Sequence, residues 1–82
     1  MFSYICFINE SEHPAISVFS DEEEIFDSLL KGTESEYIKT LSGSIDFCFT
    51  ENRNKPFLRV WVSLFPGEKY RLIVKNSKAF FK

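Results

Sequence analysis

The sequence has very few of the residues from which catalytic and cofactor sites are built. It holds three glycines, Gly32, Gly43 and Gly67, and none of them belongs to a phosphate-binding loop. Its single histidine, His13, lies in a polar segment with no nucleophile in register, and a general base needs a positioned partner. The sequence therefore predicts a protein that is not an enzyme and that uses no cofactor.

Cysteine is also scarce, with one residue at Cys6 and one at Cys48. Two distant cysteines and one histidine do not have the spacing of a metal site, so no metal ligands are predicted. The first residues lack the basic region and cleavage site of an export signal, which predicts a cytoplasmic protein with reduced thiols. No apolar run approaches the ~20 residues that a spanning helix needs, so no membrane contact is predicted.

Phenylalanine is abundant, with ten residues in a chain of 82. Large aromatic side chains bury much surface per residue, which helps a short chain to fold without disulfides or metals. Residues 1–82 are predicted to form one small domain.

Several segments have the composition of β-strands. They are aromatic or β-branched, they are bounded by turn residues, and they cover residues 2–8, 15–19, 44–50, 57–65 and 69–75. Pro66 and Gly67 occupy the second and third positions of a predicted type II turn, and residues 51–56 form another predicted turn. The short connections predict an antiparallel meander of the last three strands, and the first two strands can form a hairpin.

The chain between the second and third strands has the pattern of a short helix. Ser20 and Glu23 match a capping box, and the acidic residues 21–24 suit the positive end of a helix dipole. Four apolar residues follow at helical spacing: Ile25, Phe26, Leu29 and Leu30. Gly32 is a natural end for this helix.

The next residues repeat the helical pattern. Thr33 and Glu36 form a second capping pair, an apolar stripe follows, and Gly43 ends it. The predicted fold class is therefore α+β: an antiparallel sheet of about five strands, in the order ββ-αα-βββ, with two short helices packed on one face.

The strand predicted at 57–65 has two unlike faces. One face carries aliphatic residues and is predicted to lie in the core, and the other carries Arg59 and Trp61. In the predicted meander, this second face continues into the charged side of the last strand. The resulting basic–aromatic sheet face comprises Arg59, Trp61, Lys69, Arg71, Ile73 and Lys75, and it is bordered by Asp46, Cys48 and Thr50. Two short helices shield only one side of such a sheet, so this face is predicted to be open.

Three interpretations of this face remain. In the first, Trp61 is covered by Phe80 and Phe81 from the tail or by the first strand, because large apolar residues are usually buried. In the second, the face is a protein interface, because Trp and Arg are enriched at binding hot spots. In the third, Trp61, Arg59 and Arg71 bind single-stranded RNA or a nucleotide, although a net charge of −2 favours a protein partner over a polyanion.

The charge is divided between the two halves of the chain. Residues 1–41 hold nine acidic and two basic residues, a charge of −7, whereas residues 42–82 hold eight basic and three acidic residues, a charge of +5. The acidic residues predict a helix face formed by Glu22, Glu23, Asp27 and Glu34. This face is either a solvated helix surface or a surface that docks on a basic protein site.

These observations predict a function that depends on contact with a partner rather than on chemistry. We expect a non-catalytic cytoplasmic binding protein that makes stoichiometric contact with a macromolecule. Examples of this class are an inhibitor, an antitoxin, an immunity protein or an anti-defence protein encoded by a phage or mobile element. A protein partner is expected first, and the alternatives are an RNA or nucleotide ligand and a homodimeric structural role.

Overall fold

The chain folds into β-strands throughout the part that the structure describes. The computed structural model describes residues 1–51 and 55–82, and these contain eight strands and no helix. The strands are β1 (Phe2–Asn9), β2 (Ala15–Ser20), β3 (Glu23–Leu30), β4 (Ile38–Leu41), β5 (Gly43–Glu51), β6 (Lys55–Leu64), β7 (Lys69–Val74) and β8 (Ala79–Phe81). The predicted α+β class and its two helices are therefore wrong. Nothing in these residues provides a helix long and apolar enough to cross a membrane.

The strands form two four-stranded sheets rather than one sheet of about five. Sheet A has the order β4-β1-β7-β8, and sheet B has the order β3-β2-β5-β6. Strands β1 and β2 lie in different sheets, so the hairpin considered for them does not form. Strand β6 pairs antiparallel with β5 as expected, but β7 leaves the predicted meander and pairs in parallel with β1.

The inner faces of the two sheets share one apolar core, and Phe7 of β1 is at its centre. The Phe7 ring makes edge-to-face contacts with Phe26 of β3 and with Phe47 and Phe49 of β5, at centroid distances of 6.1, 5.2 and 5.9 Å. All three partners belong to sheet B, and Phe7 itself is fully buried. These aromatic contacts therefore join the two sheets.

The segment predicted as the first helix forms a tight hairpin. Ser20 pairs with Glu23, and the two residues between them, Asp21 and Glu22, have φ angles of 50° and 66°. Positive φ at both central residues is the geometry of a type I′ turn, whose twist matches that of the paired strands. Polar residues that suit a helix N-terminus thus form a hairpin turn instead.

The apolar residues of β3 keep their helix-like spacing because the strand is bulged. Ile16 and Val18 of β2 point into the core, and they pair with Leu29 and Phe26, which are three residues apart. The register shifts between these pairs, and Ser28 in the bulge has a φ of 58°. The extra residue brings both apolar side chains of β3 to the same face.

The segment predicted as the second helix runs beside β1 as an edge of sheet A. Its first residues make backbone hydrogen bonds to β1, from Asn9 N–H to the Thr33 carbonyl and from Ser35 N–H to the Phe7 carbonyl. Strand β4 then continues this antiparallel pairing. Segment 33–41 is consequently extended rather than helical.

The turn between β6 and β7 matches its prediction. Gly67 has a φ of 80°, and Glu68 N–H bonds to the Phe65 carbonyl at 3.3 Å, as in a type II turn. The other predicted turn, at 51–56, lies in part outside the described residues.

Candidate binding surface on sheet B

Trp61 and Arg59 lie on the outer face of sheet B, which is the face turned away from the core. Trp61 is 68% exposed, and the Arg59 side chain is 65% exposed. The tail does not cover Trp61, because Phe80 and Phe81 belong to β8 and pair with β7 in the other sheet. The indole is therefore available to a partner on this face, beside an exposed guanidinium group whose Nε forms an ion pair of 3.6 Å with Asp46 Oδ1.

Strand β6 is an edge strand, whereas the predicted meander placed it between two neighbours. It pairs with β5 on one side, and sheet B ends on the other. Phe65, which follows the strand directly, is 69% exposed. The Trp61 face thus continues to an edge whose backbone groups have no neighbouring strand within the described residues.

The predicted basic–aromatic face is divided between the two sheets. Lys69, Arg71 and Ile73 lie on β7, and Lys75 follows it directly, so these four residues belong to sheet A. Only Arg59 and Trp61 share the outer face of sheet B. The physical reason is that the turn at Pro66 and Gly67 carries the chain to β1 instead of back to β6.

The four residues on sheet A have partners of their own. Arg71 makes two hydrogen bonds of 2.9 Å to the carboxylate of Glu34, and the Cys6 thiol donates a third at 3.2 Å. Lys75 forms an ion pair of 3.1 Å with Glu10, and Lys69 lies over the Tyr37 ring at 5.3 Å. Ile73 is buried.

The contacts within this cluster shift the pKa values of its members. The Arg71 hydrogen bonds are the main cause that lowers the pKa of Glu34. Burial, followed by the hydrogen bond and charge of Glu34, raises the pKa of the Cys6 thiol. The bidentate ion pair with Glu34 holds the Arg71 side chain on sheet A.

The predicted acidic helix face does not exist, because its residues lie in strands, in a turn and in a bulge rather than on a helix. Glu22 lies in the β2–β3 turn and Glu23 begins β3, whereas Glu34 is bonded to Arg71 on sheet A. Asp27 lies in the β3 bulge, where its carboxylate accepts a hydrogen bond of 3.1 Å from Ser17 Oγ. The structure therefore separates Glu34 from the other three residues.

The outer face of sheet B contains a groove that the sequence did not predict. It has a volume of about 630 Å³, and its walls include Phe19, Asp21, Glu22, Asp46, Thr50 and Arg59. Alternation along β5 predicted that Asp46, Cys48 and Thr50 border the Arg59 and Trp61 face, and the register confirms this by pairing Asp46 with Trp61 and Cys48 with Arg59. The contribution of the β2–β3 turn was not predicted, because that segment was assigned to a helix.

The acidic side chains that line the groove are gathered at one end. Phe19 pairs with Cys48 in the middle of the groove, so the β2–β3 turn that follows Phe19 approaches the Asp46 end. Among the described residues that line the groove, Asp21, Glu22 and Asp46 therefore supply three carboxylates at this end, and Arg59 supplies one guanidinium group. Thr50 lies at the other end, and it pairs with Ser17 of β2.

His13 has more contacts than a solvated loop residue. Its ring stacks on Phe57 with a centroid distance of 4.0 Å, and its Nδ1 lies 3.4 Å from Glu51 Oε2. Within residues 1–51 and 55–82, no group of three or more His, Cys, Asp or Glu side chains could hold a metal ion.

Comparison of the chain with protein-family models, with curated proteins and with solved structures found no match.

Proposed function

We propose that this protein is a non-catalytic binding protein that makes stoichiometric contact with a protein partner through the outer face of sheet B. The observation that carries this proposal is the exposure of Trp61 beside Arg59 at the edge of the sheet. Tryptophan and arginine are the residues most enriched at binding hot spots, and exposed aromatic patches rimmed by charge are typical of protein contact sites.

The type of activity that fits this surface is occupancy of a target site. An inhibitor, an antitoxin, an immunity protein or an anti-defence protein acts in this way, and none of them needs catalytic groups of its own. This step rests on analogy with other small proteins. Cys6 and Cys48 are free thiols in the fold, which agrees with a reducing compartment such as the cytoplasm.

A homo-oligomer is the second candidate, and the edge position of β6 favours it. Two antiparallel copies of β6 can pair across a two-fold axis, and a register centred on Val60 places Arg59 of each copy opposite Trp61 of the other. Cation–π contacts between those side chains then form on the outer face. The nucleotide-binding alternative loses support, because Arg71 lies on sheet A and is engaged with Glu34.

The decisive variant is Trp61→Ala, with Tyr37→Ala as its matched control. Tyr37 is an exposed aromatic residue whose ring is contacted by Lys69 of sheet A, so its loss removes ring surface away from the outer face of sheet B. The partner is first isolated by affinity capture on the wild-type protein, and it is then titrated against each variant by calorimetry. We expect an integer stoichiometry, a loss of at least about 30-fold in affinity for Trp61→Ala, as for a hot-spot residue, and little change for Tyr37→Ala.

Equal affinities for the wild type and Trp61→Ala would refute the proposal. Sedimentation equilibrium of the protein alone tests the oligomer, because a β6-mediated dimer dissociates in the Trp61→Ala variant. A polyanion partner is revealed by a steep fall in affinity with added salt.

A further inference from the structure

The outer face of sheet A carries aromatic rings and basic side chains side by side. The odd-numbered residues of β1 point inward, as the core residues Ile5 and Phe7 show, so the even-numbered ones lie on the outer face. Lys39 and Lys69 are the ladder partners of Tyr4, which places them on this face on either side of it. The aromatic residues of the face are between 36% and 47% exposed, and they are Phe2, Tyr4, Tyr37 and Phe80.

This face is basic, whereas most acidic residues of the chain belong to sheet B. The charged residues within the strands of sheet A are Lys39, Lys69 and Arg71. Lys82 follows β8 and donates its N–H to the Arg71 carbonyl, so it lies on the same face. The acidic residues of β2, β3, β5 and the β2–β3 turn are Asp21, Glu22, Glu23, Glu24, Asp27, Asp46 and Glu51. Because salt screens charges more than about 8 Å apart, a polyanion on sheet A responds to the nearby lysines rather than to the net charge of −2.

Two of these lysines lie over aromatic rings of the same face. The distance from Nζ to the ring centroid is 4.3 Å for Lys39 over Phe2 and 5.3 Å for Lys69 over Tyr37. Such a contact leaves the lysine with its full charge, and it is weak at an exposed site. Each lysine can therefore move to an anion and leave its ring open to another planar group.

The carboxylate of Glu34 does not cancel the charge of these lysines. Arg71 holds it through two hydrogen bonds of 2.9 Å, so the two residues form a neutral pair. Arg71 is thereby engaged, and Lys39, Lys69 and Lys82 supply the positive charge of the face.

Rings that alternate with cations on an open sheet suit one class of ligand. The bases of a single-stranded nucleic acid stack on aromatic side chains while its phosphates bind to lysines. A duplex keeps its bases within its own stack, and an acidic protein uses the cations without needing the rings. Phe80 pairs with Ile73, which lies level with Ile8, so Phe2 and Phe80 are separated by roughly 20 Å along the strand direction. The face thus has room for several nucleotides.

We propose that the outer face of sheet A binds a single-stranded nucleic acid. Bases stack on Tyr4 and the neighbouring rings, and phosphates bind to Lys39, Lys69 and Lys82. This site is distinct from the proposed protein contact, because the outer faces of the two sheets lie on opposite sides of the molecule and Trp61 takes no part in it.

The test measures fluorescence anisotropy of labelled dodecamers of deoxythymidine and of uridine. Both are expected to bind, because neither the rings nor the lysines require a 2′-hydroxyl group. A dodecamer of the same backbone without bases is expected to bind at least about fivefold more weakly, since it cannot stack. For three phosphate contacts, the logarithm of the binding constant should fall against the logarithm of the salt concentration with a slope of about −2.

Variants separate the rings from the cations. Tyr4→Ala and Phe80→Ala are each expected to weaken binding of the dodecamers by at least about fivefold and to leave the salt slope unchanged. The two rings lie on different strands, so a folding defect in one variant leaves the other to test stacking. Lys69→Gln is expected to make the slope less steep by about 0.7. Trp61→Ala and Lys55→Gln remove a ring and a charge from sheet B, and as matched controls they are expected to have no effect.

Four outcomes would overturn the inference. They are failure of both dodecamers to bind at low salt, equal binding of the backbone without bases, equal competition by a polyglutamate peptide of the same charge, and binding that the sheet A variants leave unchanged. Equal competition by polyglutamate would assign the face to an acidic protein instead. None of these results bears on the protein contact at Trp61, which is measured with its own partner.

Discussion

Replacement of Glu22 by glycine should make this protein more stable, although glycine usually weakens regular structure. Glu22 has a φ of 66° in the type I′ turn between β2 and β3. A residue with a side chain destabilises the folded state by about 1–2 kcal/mol when it adopts this left-handed conformation, whereas glycine adopts it without this cost. Glycine also has more freedom in the unfolded chain, which offsets about 0.5–1 kcal/mol of that gain. The net expectation for Glu22→Gly is a stabilisation of about 0.7 kcal/mol.

Glu23→Gly is the matched control for this variant. Glu23 is the next residue, it pairs with Ser20 in the ladder, and its φ is not positive. Both variants remove one negative charge from the same acidic turn, so their comparison isolates the effect of the backbone. Because Glu23 is in regular strand geometry, Glu23→Gly is expected to lower the stability by about 0.5–1 kcal/mol.

Urea denaturation and thermal melting measure the difference between the two variants. For a domain of this size, 1 kcal/mol moves the melting temperature by about 4–8 °C, so Glu22→Gly should melt about 3–6 °C above the wild type. If these residues formed the predicted helix instead, Glu22→Gly would lower the stability, because glycine within a first helical turn is unfavourable. A Glu22→Gly variant as unstable as Glu23→Gly would refute the hairpin turn.

Two further predictions concern the core and the ion pair of sheet A. Phe7→Ala should lower the free energy of unfolding by about 3–5 kcal/mol, because the fully buried ring contacts three aromatic rings of sheet B. Urea denaturation measures this change, and a decrease of less than about 1 kcal/mol would contradict the prediction. The stability that Glu34 contributes should be lost in acid, because its carboxylate is stabilised by Arg71 and its pKa is lowered in the native state. This contribution is complete above the unfolded-state pKa of about 4.3 and disappears as the pH falls through the lower native-state value. The difference in urea midpoint between the wild type and Glu34→Gln should therefore be present at neutral pH and vanish in strong acid, and a difference that does not change with pH would contradict it.

Several strands were predictable from local patterns of aromatic, β-branched or alternating apolar residues. The segments 2–8, 44–50 and 57–65 correspond to β1, β5 and β6, with ends that differ by one or two residues. Alternation is a local property, and a half-buried strand displays it in the sequence. The pairing of β5 with β6 followed from the same property, because the two strands are close in sequence.

The helices were wrongly predicted because bulges imitate helical spacing. Phe26 and Leu29 are three residues apart, which places them on one face of a helix and on opposite faces of a regular strand. The bulge that contains Ser28 adds one residue and returns both side chains to the core face. The helix-capping pattern was equally ambiguous, because Ser and Asp favour both helix N-termini and turns.

The division into two sheets was not predictable from local patterns. A turn at Pro66 and Gly67 shows that the chain changes direction, but not which strand it joins next. The pairing of Tyr4 with Lys69 depends on packing between residues far apart in sequence. For the candidate site, the sequence therefore predicted the neighbourhood of Asp46, Arg59 and Trp61, and it missed the part that the β2–β3 turn supplies.

The parallel pairing of β1 with β7 links two strands that are far apart in the sequence. Phe7 aligns with Leu72, so the chain must close a loop of more than sixty residues before sheet A gains its central ladder. Closing so long a loop costs entropy before any contact is gained, and folds rich in such distant pairings are slow to form. A nascent chain that ends before β7 holds β1 without this neighbour, so sheet A can be completed only after β7 has left the ribosome.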